Sequence, residues 1–240
     1  MRRTLALLPV LVAALIAVPA GAEQTTLHYF DIPPFSYQQD GQPAGPAPDL
    51  AQSLAAGLGI ALDPAAMPLR RLEFEARAHP IIVAAIFRSA PRETSYQWIG
   101  RICTDAFMMA SRAPNGPIDT LDDARKLKSI AVAAGAANET YLRDRGFTNL
   151  DLAASIELEV RRLAEGHDDA WFGPRSGIIH AWKAAGYDPS QLRFGAPIAP
   201  MPVWMAASPS VPASIVEELR VRFAERTKAG ALAAPAVCQE

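Results

Sequence analysis

The chain has 240 residues, with 23 Lys and Arg against 25 Asp and Glu, a net charge of −2 and a hydrophobic fraction of 50%. That length supports one large core or two small ones. The slight acidity, without any basic block, argues against nucleic acid or an anionic membrane surface as partner.

The first segment, "MRRTLALLPVLVAALIAVPAGAEQ", places Arg2 and Arg3 before a short apolar run and ends on Ala20-Gly21-Ala22. This is the pattern of a secretory signal peptide over 1–22, cut after Ala22. The run is short for a membrane span, and no lipobox cysteine follows it. A soluble exported protein is the expectation, with an uncleaved anchor as the alternative. In such an oxidising compartment Cys103 and Cys238 are expected to form a disulfide, and two buried thiols are the other possibility.

Strand-like and helix-like segments then alternate. "TTLHYF" (25–30) reads as a strand, followed by a Pro/Gly-rich loop. Leu50, Leu54 and Leu58 recur on one face of a helix over 49–59 that Gly59 ends. "PIIVAAIF" (80–87) is an apolar run of strand length, and 113–119 is a loop. Thr120, with Asp123 three residues on, caps a helix. "SIAVAAG" (129–135) and "DDAWF" (168–172) read as strands, each leading directly into a helix, "NETYLRDRG" and "SGIIHAWKAAG". The last helix, 212–230, opens at Pro212, carries Ile215, Leu219 and Phe223 as an apolar stripe and closes at Gly230. Apolar strands separated by helices predict an α/β fold with mainly parallel sheets. Ligands in such folds sit beyond the carboxyl ends of the strands. Three corners qualify here: Phe87–Arg92, Ala134–Glu139 and Phe172–Arg175.

Catalytic and metal signatures are weak. The four histidines, 28, 79, 167 and 180, share no metal-ligand spacing. Neither a Gly-x-Ser-x-Gly elbow nor a Walker loop occurs. No cofactor or metal is expected.

Five stretches taken in order carry a resemblance: "Y-x-x-x-PPFSY" before "DLAQSLAAGLG", then "FRSAPRE", then "TLDDARKLKSIAVAAGAANETYL", then "LAEGHDDAWF", then "VPASIVEELRVRFAERTKAGAL". Together they resemble the bacterial periplasmic solute-binding proteins of the amino-acid-binding type. The resemblance implies a two-lobed Venus flytrap, with lobe 1 over 23–104 plus 202–240 and lobe 2 over 105–201. Two hinge strands would cross near Thr104–Phe107 and Pro200–Trp204, with Trp98 and Trp204 packed beside them. A monomer that delivers its ligand to an inner-membrane ABC permease is the implied role. A sensory or accessory module and a dehydratase-like enzyme acting on prephenate-like acids are the alternatives.

The family's arginine motif matches "RSAPRE" at Arg88, Arg92 and Glu93, and implies that Arg92 holds a ligand carboxylate. Ser89 and Pro91 suggest that Arg92 leaves the first turn of a helix, where a guanidinium meets a carboxylate bidentately beside a positive helix end. A surface arginine paired with Glu93 or Asp105 is the alternative. Further positions that the resemblance places at the cleft are Tyr29, Ile32, Met67, Arg70 or Arg71, Ala85 and the corner Gly135, Ala136, Ala137 and Asn138. Hydroxyl-bearing positions of the family are here Ala84, Ala85 and Phe87, and later Ala136 and Ala137. The family's amine-binding acid, five residues after Asp169, becomes Pro174, with Arg175 next to it. A buried ammonium needs a paired anion, so a carboxylate ligand without a cationic amine is the sequence-based expectation.

Overall fold

The computed structural model describes residues 24–229. The expected export signal over 1–22, the expected helix end at Gly230 and Cys238 lie outside the described residues. In chain order the first half contains β1 (Thr26–His28), β2 (Tyr37–Gln39), β3 (Gln42–Ala44), α1 (Pro46–Ala55), β4 (Ala61–Leu62), α2 (Leu69–Glu75) and β5 (Ile81–Phe87). The long β6 (Gln97–Arg112) leads out of it. The second half holds α3 (Leu121–Ala124), β7 (Ile130–Ala133), α4 (Ala137–Arg143), β8 (Leu150–Ala153), α5 (Ile156–Glu165), β9 (Ala170–Pro174), α6 (Arg175–Ala184) and β10 (Leu192–Phe194). Then β11 (Ala199–Ala207) returns to the first half, which α7 (Ala213–Lys228) completes.

One sheet runs through both halves in the order β4-β1-β5-β11-β6-β9-β7-β8, with β10 pairing with β6. Its two ends are parallel, β4-β1-β5 and β9-β7-β8. Between them β6 and β11 pair antiparallel from Phe107↔Ala199 to Gln97↔Ala207, with register shifts at Val203/Trp204 and Met205/Ala206. Both expected crossing strands are therefore present, paired with each other.

Side-chain alternation explains how each sheet end is covered. On β5, Ile82 and Ala84 join Leu27, α1 and the α7 residues Val216, Leu219 and Phe223 in one core cluster. Ile81 and Val83 face the other way, toward Leu72 of α2. A strand covered on both faces reads as an unbroken apolar run, as 81–86 does. In the second half Ile130, Val132 and Phe172 pack with Leu142 of α4, whereas Ala131 and Trp171 pack with Val160 and Leu163 of α5 and Trp182 of α6. Two helix starts follow the sequence signals, whereas the first helix is shifted: α1 runs Pro46–Ala55, so it begins before Asp49 and ends short of Gly59. The Thr120 hydroxyl accepts from the Asp123 amide at 3.0 Å, and Ser155 accepts from Leu158 at the start of α5. Arg222 of α7 donates to the Leu54 and Ala56 carbonyls, which α1 leaves without helical partners.

One local expectation needs correction. Ser89 makes no side-chain capping bond, and Ala90–Arg92 forms a single 3-10 turn rather than the start of an α-helix. The chain must enter β6 at Gln97, so too few residues remain for a longer helix. Arg92 therefore does not stand in the first turn of an α-helix.

Candidate functional site

A cleft of about 560 Å³ lies between the halves. On the first-half side its wall is the loop after β1 (Phe30 to Pro33, and Phe35), the stretch Ala66–Leu69, Phe87 at the end of β5, and Arg92. Short hydrogen bonds fix this wall. Ser36 Oγ donates to Phe30 O at 2.7 Å, Ile32 N to Ser36 O at 2.8 Å, and Met67 N to Tyr29 O at 3.0 Å. The second half contributes Phe107, Ala133, the start of α4 at Ala136–Asn138, the end of β9 at Gly173–Pro174, Ser176–Ile178 of α6, and Ile156, Glu159 and Trp171. Aromatic and aliphatic carbon dominates, with few polar groups, as small-molecule sites require. The halves also touch outside the cleft, where the Tyr37 and His180 rings lie 5.2 Å apart.

Seven of the residues singled out in the sequence line this cleft: Ile32, Met67, Arg92, Ala136, Ala137, Asn138 and Pro174. Arg92 is already engaged. Its Nε donates to Glu73 Oε1 at 2.8 Å and its Nη1 to the Phe87 carbonyl at 3.2 Å. The partner is Glu73, not Glu93 or Asp105. Asn138 is buried and donates to Phe172 O at 2.9 Å, which ties α4 to β9.

The remaining positions lie off the cleft wall, each for a definable reason. Tyr29 is fully buried with its hydroxyl on Pro64 O, and Ala85 is fully buried in the first-half core. The Arg71 side chain is 69% exposed and faces Glu75 one turn along α2. Arg88 is held by Glu93, and its guanidinium stacks over Trp98 and Trp204 at 5.0 and 4.5 Å. Those two rings, on β6 and β11, meet edge-to-face at 6.2 Å, and Trp98 also packs on the core cluster of Leu72, Val83 and Ile86. The Gly135 amide donates to Glu139, and Arg175 lies over Phe194. Cys103 is buried, and its expected partner Cys238 is outside the described residues.

Three buried acids, Asp105, Glu159 and Asp168, were not anticipated. Asp105 on β6 accepts from Ser176 Oγ at 2.6 Å and from the Ala106 amide, and burial raises its pKa against those hydrogen bonds. Glu159 on α5 is 3% exposed and accepts from the Trp171 indole N–H at 3.0 Å. Burial pushes its pKa from 4.5 up to about 7, opposed only by that hydrogen bond. A sequence signal existed. Ile156, Glu159, Val160 and Leu163 stand at i, i+3, i+4 and i+7, so Glu159 occupies the apolar stripe of α5.

Solved structures with this architecture decide the fold. A histidine kinase sensor domain with similarity to periplasmic binding proteins superposes with a TM-score of 0.72, covering 89% of this chain and 94% of that one at 19% identity. The chain has the two-lobed fold of the periplasmic binding proteins. A mutant of ArgBP from T. maritima gives a TM-score of 0.68 over 88% of this chain and 92% of its own at 17% identity. The substrate binding protein of an amino acid ABC transporter gives 0.65 over 87% and 94% at 18% identity. No family model matches the sequence, and no curated protein matches it. In the periplasmic-binding-protein fold of this chain, β6 and β11 join the lobes and the cleft lies between them. No helix among the described residues is long and apolar enough to cross a membrane.

Proposed function

We propose that this chain is a periplasmic solute-binding protein that captures a small carboxylate-bearing ligand, an amino acid or another organic acid, for an ABC importer. The observation that carries the reading is the apolar interlobe cleft with Arg92 in its wall. Arg92 reaches the ligand carboxylate with the N–H groups that Glu73 and Phe87 leave unused. Closure of the lobes about β6 and β11 then follows from tighter binding to the closed state. Lobe 1 comprises 23–104 and 202–240, and lobe 2 comprises 105–201. The signal over 1–22 directs export, and a Cys103–Cys238 disulfide ties the carboxyl terminus to lobe 1. The protein acts as a binding monomer rather than as an enzyme.

Thermal unfolding of the processed protein against a panel of carboxylates and amino acids tests this reading. Ligand at about 100 times its Kd stabilises by about 2.7 kcal/mol, a rise of about 5–10 °C for a chain of this size. The rise disappears in Arg92→Ala. A rise that survives the substitution removes Arg92 from the site, and the absence of any rise across the panel refutes small-molecule capture. A sensory role is the second reading, favoured by the likeness to a kinase sensor domain over nearly its whole length. Pull-down of a permease or of a membrane sensor by ligand-loaded protein separates the two.

A further inference from the structure

The position that the family resemblance gives to an amine-binding acid is Pro174, which lines the cleft but carries no charge. The cleft nevertheless contains an acid, set elsewhere in the fold. Glu159 lines it from the inner face of α5, beside Ile156, Trp171 and Ile178. One carboxyl oxygen takes the Trp171 indole proton, and among the described residues the other has no protein donor. No basic side chain of the described residues stands against it.

The charge balance of the cleft points the same way. Arg92 is the only Lys or Arg lining it among the described residues, and Glu73 already offsets that charge. Among the described residues, Asp31 and Glu159 are acids of the cleft with no ion-pair partner. A second anionic group on the ligand would meet Glu159 with no cation to offset it, whereas a cation would supply the charge that the site lacks. We propose that Glu159 is the anchor for a protonated amine, so that the ligand pairs its ammonium group with the Glu159 carboxylate at the lobe 2 side of the cleft. This deepens the reading given above and rests on it: the ligand class becomes an amine-bearing carboxylic acid with an apolar body.

Capture is then linked to protons. Glu159 is half-protonated near neutrality when the cleft lacks ligand, and pairing with an ammonium requires the carboxylate. Its proton leaves to solvent as the amine enters, so affinity rises with pH until Glu159 is ionised. The other charged groups around it are committed elsewhere. Asp105 on β6 is bonded to Ser176 of α6, with Arg175 near that pair. Arg162 of α5 pairs with Asp151 of β8, and Glu157 accepts from Ser155. His180 of α6 stacks on Tyr37.

The test is calorimetric titration of the processed protein with the common amino acids, each accompanied by its des-amino acid and its decarboxylated amine. Wild type, Arg92→Ala and Glu159→Gln are compared at pH 6 and pH 8. Glu159→Gln keeps the oxygen that receives the Trp171 proton, so it folds, and its thermal transition verifies this. The expected result is an amine-bearing ligand that binds about tenfold more weakly at pH 6 than at pH 8. In Glu159→Gln its affinity falls by at least tenfold at pH 8 and the pH dependence disappears. Binding of des-amino acids with no preference for the amine overturns the role of Glu159 while leaving carboxylate capture by Arg92 intact. Amine-bearing ligands that bind Glu159→Gln as tightly as wild type overturn it equally. If no member of the panel binds, both readings fail.

Discussion

Glu159→Gln has a consequence that needs no ligand. Glu159 holds its proton in the folded protein up to about pH 7, whereas an exposed glutamate releases it near 4.5. Below pH 4.5 both states bind the proton and the residue costs nothing. Between 4.5 and 7 the unfolded chain loses its proton first, so stability falls as pH rises, by about 1.4 kcal/mol per unit. The gap of two to three units amounts to about 3 kcal/mol by pH 8. The cause is transfer of a carboxyl into the apolar space among Ile156, Trp171 and Ile178, which the Trp171 hydrogen bond only partly offsets. Glutamine cannot ionise and keeps the indole acceptor. The variant is therefore equal to wild type in stability near pH 4 and more stable by about 3 kcal/mol at pH 8, a Tm difference of about 6–12 °C for a chain of this length. Urea or thermal unfolding of both proteins across pH 4–8 reads the difference directly. A difference that stays constant across that range refutes the assignment of a buried, ionisable Glu159.

Two further substitutions probe how the cleft wall and the second lobe are built. Gly45 has φ 100° and ψ 163°, and a Cβ there would stand 2.5 Å from Phe35 O and 2.9 Å from Pro34 O. Gly45→Ala is expected to destabilise by about 2–4 kcal/mol and to weaken ligand binding by displacing Phe35, as unfolding and titration together would show. Thr120→Ala removes the oxygen that receives the Asp123 amide at 3.0 Å. It should cost about 1 kcal/mol with no change in ligand affinity, and a loss of affinity would mean that α3 communicates with the cleft.

Much of the fold was legible because both sheet ends are covered on two faces. Continuous apolar runs such as 81–86 and 130–132 then mark strands, and Thr120 and Pro212 mark helix starts. The long β6 was harder to see, since Arg101 and Asp105 interrupt its pattern where the strand crosses between lobes. For α5 the signal was present, in Ser155 as cap and in the stripe from Ile156 to Leu163, but the segment was not taken up as a helix. Site residues divided by the same logic. Arg92 and the 136–138 corner sit at ends of strands, where topology alone brings them to the cleft. Tyr29, Ala85 and Arg71 are neighbours in sequence of residues in the wall, but pleat and helix phase turn them into the core or out to solvent. Glu159 escaped because it works from the middle of a helix, not from a corner.

The path of the chain through its two lobes also sets an order of assembly. Lobe 2 is one uninterrupted segment between β6 and β11, and its parallel strands find partners close in sequence. Lobe 1 is discontinuous: Leu27 and Ile82 share their core with Val203, Met205, Leu219 and Phe223, which arrive only after all of lobe 2. Closing that long loop is entropically costly for an open chain, and a compact lobe 2 shortens it by holding β6 and β11 side by side. The later lobe thus acts as the template for the earlier one. Pulsed hydrogen exchange during refolding is expected to protect amides of β7 and β9 before those of β1 and β5, and the reverse order would refute this sequence of events. Until α7 docks, the apolar face formed by Leu27, Ile82 and Ala84 is covered by α1 alone, so a chain truncated before Ala213 lacks half of the cover that makes its first lobe a folded body.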